Sequence, residues 1–164
     1  MYVRDPSSEV ALIAERSELD YFDQQQAGLP EGMTAFQAYC CMTADSPAWL
    51  RSAFWLRDKL SQLAGVEQID GFSAQRPVSP PQEGGKLDFF DVLAISDDEL
   101  LLTSVDRHLG VLIAINIERT EHSGSRLTIT ASVRNKNFFG RLYMIPVAPA
   151  HVMIVRNMLG KLPL

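Results

Sequence analysis

The second half of the chain narrows the fold more than any other feature. Short apolar strands separated by turn signals run from Leu87 to Val133, and an apolar helix follows, ending near Gly160. Leu87–Ile95 turns at Ser96–Glu99, Leu100–Val105 returns, and a tight turn near Asp106 and Arg107 leads into His108–Glu118. His122–Ser125 supplies the next reversal. Strands at this spacing with short turns describe an antiparallel meander. In the last strand Leu127, Ile129, Ala131 and Val133 alternate with Arg126, Thr128, Thr130, Ser132 and Arg134, so one face is apolar and the other polar and half wet. The apolar face must be buried, and the next element is a helix with its own apolar stripe. The expected class is therefore α+β: a curved antiparallel sheet gripping a long C-terminal helix, with a cavity between them suited to a small apolar molecule.

Two helix signals precede the sheet. Thr34 and Gln37 form a capping box, and Met33 with Ala38 can close a hydrophobic staple. The helix then carries Phe36, Tyr39 and Met42 and stops near Ala44. Ser46 caps a second helix with Pro47 at its first position, and Trp49, Ala53, Leu56, Leu60 and Leu63 form its stripe before Gly65. Residues 73–86, with three prolines and two glycines, read as a surface loop into the sheet. Residues 1–32 are polar, with one short strand near Leu19–Asp23 and residues 1–18 irregular. In the final helix Pro146 and Pro149 should kink the chain or mark a fresh start, and Val147, His151, Ile154 or Val155, and Met158 share one face.

At 164 residues, 46% hydrophobic and 21% charged, the chain suits one globular domain spanning 1–164. Its longest strongly apolar run, Leu109–Ile117, is interrupted by Gly110 and Asn116 and reads as a buried strand, so no membrane span is expected. Arg4, Asp5 and Glu9 stand where a signal peptide needs an apolar core, and adjacent Cys40 and Cys41 read as reduced thiols, which fits a cytoplasmic protein. Net charge is −5, yet residues 119–164 hold seven Lys/Arg against one Asp/Glu. That imbalance is a plain dipole or a basic patch around Arg134, Lys136 and Arg141 facing an anionic partner. No nucleic-acid module accompanies it. No zinc spacing, phosphate loop, nucleophile elbow or cofactor signature occurs.

Among residues that can carry chemistry, Asp106 and His108 are two apart on an extended segment, so the carboxylate can orient the imidazole. Gly110, Leu112 and Ala114 continue that side and are smaller on average than Leu109, Val111, Ile113 and Ile115 opposite, which leaves room at a cavity mouth. The competing reading makes Asp106 a turn cap and His108 a plain strand residue; a true turn at Asp106–Arg107 removes the shared face. His151 lies on the inner stripe of the last helix, where a histidine is more often core than catalyst. Trp49 and Tyr143 read first as packing aromatics and second as ligand-lining ones.

The blocks S-P-A-W-L (Ser46–Leu50), L-R-D-K-L (Leu56–Leu60), D-R-H-L (Asp106–Leu109), V-R-N-K-N-F-F-G-R-L-Y (Val133–Tyr143) and P-A-H (Pro149–His151) occur in an order that resembles an uncharacterised bacterial family of stand-alone domains. That family belongs to the START-like, helix-grip superfamily (SRPBCC, polyketide-cyclase-like). It often places an acidic residue directly after D-x-H-L, where this chain has Gly110. The resemblance implies a first strand, two short helices, a curved antiparallel sheet, a long C-terminal helix and a hydrophobic cavity, but no single activity. Three functions fit. The first is a binding protein for a small apolar or amphipathic ligand contacting Trp49, Gly110, Leu112, Tyr143 and His151. The second is a cyclase- or hydratase-like enzyme using His108 with Asp106. The third is an interaction domain using the basic C-terminal edge. Monomer and homodimer are both open.

Overall fold

The computed structural model describes residues 1–44, 77–120 and 124–163. Short strands β1 (Val3–Arg4) and β2 (Ala11–Leu12) form a two-stranded antiparallel sheet, followed by a 3₁₀ turn at Arg16–Glu18. Then come β3 (Tyr21–Leu29), α1 (Ala35–Thr43), β4 (Lys86–Leu87), β5 (Phe90–Ile95), β6 (Glu99–Val105), β7 (Leu109–Thr120), β8 (Gly124–Asn135) and α2 (Phe138–Leu159). The main sheet has the order β3-β8-β7-β6-β5-β4 and is antiparallel throughout. The second expected helix, with Trp49, lies outside the described residues.

The α+β class, the antiparallel sheet and the long C-terminal helix follow from the alternation and turn chemistry of residues 87–135. The capping box at Thr34 forms in both directions, Gln37 N–H to Thr34 Oγ1 at 3.2 Å and Thr34 N–H to Gln37 Oε1 at 3.0 Å. Three particulars differ from expectation. The strand expected over Leu87–Ile95 is two pieces, because Asp88 takes a positive φ of 53° and the chain reverses between Leu87 and Phe90. β3 is nine residues long, paired with β8 along its whole length from Tyr21↔Val133 to Leu29↔Ser125. α2 runs unbroken through Pro146 and Pro149, both on its exposed side.

The sheet has two faces set by strand alternation. On the inner face Leu127, Ile129, Ala131 and Val133 of β8 meet Ile117, Ile115, Ile113 and Val111 of β7. Phe36, Tyr39 and Met42 of α1 and Val155 of α2 join Leu100, Leu102, Ile115, Leu127 and Ile129 in the main core. The outer face is not half wet. Thr128, Thr130 and Ser132 are buried, Leu112, Ala114 and Leu101 pack with Ala11, and Ser132 Oγ accepts from the Ile13 backbone N–H at 3.0 Å. The N-terminal segment expected to be irregular is thus the cover of this face, tied down by Arg4, whose guanidinium donates to both Glu99 carboxylate oxygens at 2.7 and 2.8 Å.

Candidate functional site

The expected pair Asp106–His108 sits in the β6–β7 reversal, where Asp106 N–H donates to Leu109 O at 3.0 Å. Asp106 Oδ1 accepts the backbone N–H groups of His108 (2.6 Å) and Leu109 (2.9 Å). The carboxylate is therefore a turn cap, and it orients the backbone of His108, not its ring. The imidazole turns to the start of α2 instead. Its Nδ1 lies 2.9 Å from Asn137 Nδ2 and 3.2 Å from Asn137 Oδ1, Arg107 Nε donates to Nε2 at 3.1 Å, and the ring packs on Phe139 with centroids 4.6 Å apart.

The same junction uses most of the V-R-N-K-N-F-F-G block. Asn137 caps α2 by accepting from Gly140 N–H at 3.0 Å and donates to Arg107 O at 3.2 Å. Lys136 N–H donates to His108 O at 2.7 Å, and its ammonium to Asp106 O at 2.5 Å. Gly140 sits so close to His108 O that a Cβ there would overlap it. Two of the sequence blocks that stand out are thus the two halves of a clasp holding α2 to the sheet.

Gly110 and Leu112 fall on the outer face. Leu112 is buried in the cluster with Ala11, and Gly110 lies under Ile13, 3.4 Å from where its Cβ would stand. Strand alternation places them opposite to α2, so they do not border a space next to that helix. Tyr143 is half-buried on α2, one turn beyond Phe139, and Trp49 is outside the described residues. His151 is twelve residues beyond Phe139, about 18 Å along the helix, so it and His108 do not form one site.

His151 does meet a polar group that the sequence reading passed over. Tyr21, Asp23 and Gln25 alternate along β3 onto the inner face. Tyr21 OH lies 3.4 Å from His151 Nδ1 and donates to Ala148 O at 3.4 Å, and the two rings meet edge to face. Asp23 Oδ2 is 4.0 Å from His151 Nδ1 and accepts from Gln25 Nε2 at 2.8 Å, and that nitrogen also donates to Val152 O at 3.2 Å. Burial lowers the His151 pKa from its ordinary value, opposed by the charge of Asp23. Burial, followed by that same charge, pushes the Tyr21 phenol up to about 12. The site therefore offers a phenol that stays protonated, an imidazole held toward neutrality and a carboxylate. The signal for it was the i, i+2 spacing in Y-F-D-Q-Q, visible only once β3 is a full strand.

Beside this trio the inner face is not fully covered. β7 lies in the middle of the sheet, yet Val111 and Ile113, and Ser104 opposite Val111, are only half-buried. Their neighbours Val133, Ala131 and Leu102 are buried. The small side chain of Ala131 stands between Ile113 and Asp23, a distance of two strand spacings, about 10 Å. An apolar strip and a polar end thus flank α2 on one surface. Two hollows lie elsewhere: one of about 550 Å³ where Gln26 and Gly28 meet Glu118 and Arg126, and one of about 350 Å³ at Phe36, Val78 and Ile95. Among the described residues no group of three His, Cys, Asp or Glu is placed to hold a metal, and Cys40 and Cys41 are not joined in a disulfide.

This architecture is an α+β fold in which a six-stranded antiparallel sheet carries a C-terminal helix on one face and a two-stranded N-terminal cover on the other. The chain belongs to the family described as "Protein of unknown function (DUF2867)", whose model matches residues 16–158. Comparison with the curated proteins gives no match. The matched span begins after β1 and β2 and includes both halves of the clasp, the β3 trio and nearly all of α2.

Proposed function

We propose that the protein binds a small apolar or amphipathic molecule on the inner face of the sheet beside α2, as a carrier or sensor. The architecture is compatible with the START-like, helix-grip superfamily, and this reading takes the chain as a member. One observation carries it: Val111 and Ile113 keep solvent-accessible apolar surface in the middle of the sheet, within about 10 Å of a phenol, an imidazole and a carboxylate. An apolar wall with a few convergent polar groups is what a small amphipathic ligand needs. The tail would lie along Val111, Ile113 and Ala131, and the head group would meet Tyr21 and His151.

Native mass spectrometry of gently purified protein, with solvent extraction of what it carries, tests this. The expected result is an adduct of discrete mass that is depleted when Ile113→Asp makes the strip polar in a protein that still folds. A bare mass in every preparation, with no uptake of added medium-chain alcohols or acids, would overturn it.

A further inference from the structure

We propose that the outward face of α2 docks on the surface of an anionic lipid bilayer. This surface is opposite to the one that meets the sheet, so it stands apart from the ligand reading. Phe138, Leu142, Ile145 and Met153 are 77%, 53%, 70% and 67% exposed. Their spacing puts them on one stripe with Pro149 and Arg156, half a turn from Gly140, Met144, His151 and Val155, which face inward. Four large apolar side chains in one continuous exposed row are more than a monomer normally leaves in water.

Charge selects the occupant. From residue 122 to 163 there is no Asp or Glu, while Arg126, Arg134, Lys136, Arg141, Arg156 and Lys161 are all present. Arg141 flanks the stripe near its start, Arg156 closes it, and Lys136 precedes the helix. A second copy fits poorly. Antiparallel pairing about the midpoint of α2, between Ala148 and Pro149, would set Arg141 of one chain opposite Arg156 of the other. The stripe is also the convex side of a helix, which suits a fluid surface with anionic head groups better than a shaped protein partner.

Depth is limited by the fold. α2 is long and apolar enough to cross a bilayer by length and composition, but its inward face is held to β3 through Tyr21 and Gln25. Pro146 and Pro149 have no N–H, so the carbonyls of Leu142 and Ile145, on the stripe itself, lose their helical partners. At head-group depth water can supply them; in hydrocarbon nothing can. The geometry therefore fits a helix lying in the interface plane.

Co-sedimentation of the full chain with phosphatidylcholine vesicles, with and without a quarter phosphatidylglycerol, tests the proposal. The expected result is binding only to the phosphatidylglycerol vesicles. The double variant Ile145→Glu and Met153→Glu should reduce the partition coefficient at least about tenfold while circular dichroism stays unchanged, because each side chain is exposed. Arg141→Gln with Arg156→Gln should weaken binding and flatten its salt dependence. Absence of binding, equal binding to both vesicles, or equal binding by the double variant would overturn the proposal. So would light scattering that shows a dimer dissolved by those same glutamates, which would assign the stripe to a second copy.

Discussion

Replacing Gly140 by alanine should destabilise the protein, against the usual sign of a glycine-to-alanine change in a helix. In an open helical position alanine gains about 1 kcal/mol over glycine. At Gly140 the added methyl would overlap His108 O and stand 3.2 Å from the carbonyl carbon and 3.3 Å from Asn135 Oδ1. The His108 carbonyl belongs to the β6–β7 turn, which Asp106 fixes, and it accepts from Lys136 N–H at 2.7 Å, so it cannot retreat without straining that hydrogen bond. Overpacking of this kind costs about 1–3 kcal/mol, and lifting the first turn of α2 off Asn137 costs about 1 kcal/mol more. After the propensity gain, the net loss is about 1–3 kcal/mol, or roughly 3–10 °C in Tm for a chain of this length. Urea denaturation followed by far-ultraviolet circular dichroism measures it. Gly160→Ala is the control, because its Cβ would meet only ordinary contacts of 3.5 Å and beyond at φ −65°. A Gly140→Ala protein as stable as the parent would refute the clasp.

Two further outcomes follow from the charges. The folded pKa of His151 is depressed, so the unfolded chain takes up a proton first as pH falls below about 6.5. Stability should therefore be full above that pH and decline below it, by up to about 1.4 kcal/mol per unit, and His151→Gln should flatten that part of the profile. Arg4 holds the Glu99 carboxyl below its ordinary value, chiefly through their hydrogen bonds, so this contribution is present above about pH 4.5 and is lost as pH falls through the folded value. Arg4→Met should cost under about 1 kcal/mol globally, yet speed hydrogen exchange in β1 and β2; unchanged exchange there would show that the outer cover is held by packing alone.

Much of this architecture was legible in the residues. The β8 alternation, the reversals at Ser96–Glu99 and Asp106–Arg107, and the Thr34 capping box are local rules, and local rules decide them. The outer cover was not legible, because Thr128, Thr130 and Ser132 read as solvent-facing unless something distant covers them. What covers them is Ala11 and Ile13, more than a hundred residues away, with no pattern that announces a strand. The site divided the same way. His151 was placed on the inner stripe by helical spacing alone. Asp106 and His108 share a face only on an extended chain, and the reversal turns the carboxylate to the backbone. For the same reason Gly110 and Leu112 went to the face away from α2. Tyr21 and Asp23 went unseen because the β3 signal is weak: Q-Q-Q has no apolar alternation, and pairing with β8 rather than propensity makes it a strand.

The claim that a small molecule is held on the inner face beside α2 is met most directly by a methyl-labelled nuclear magnetic resonance titration with decanol and decanoic acid. The account predicts saturable shifts at Val111, Ile113 and Ala131, together with the Tyr21 and His151 rings, with the clasp signals of His108 unmoved. Shifts confined to Leu142, Ile145 and Met153, or no saturable shift at all, would contradict it.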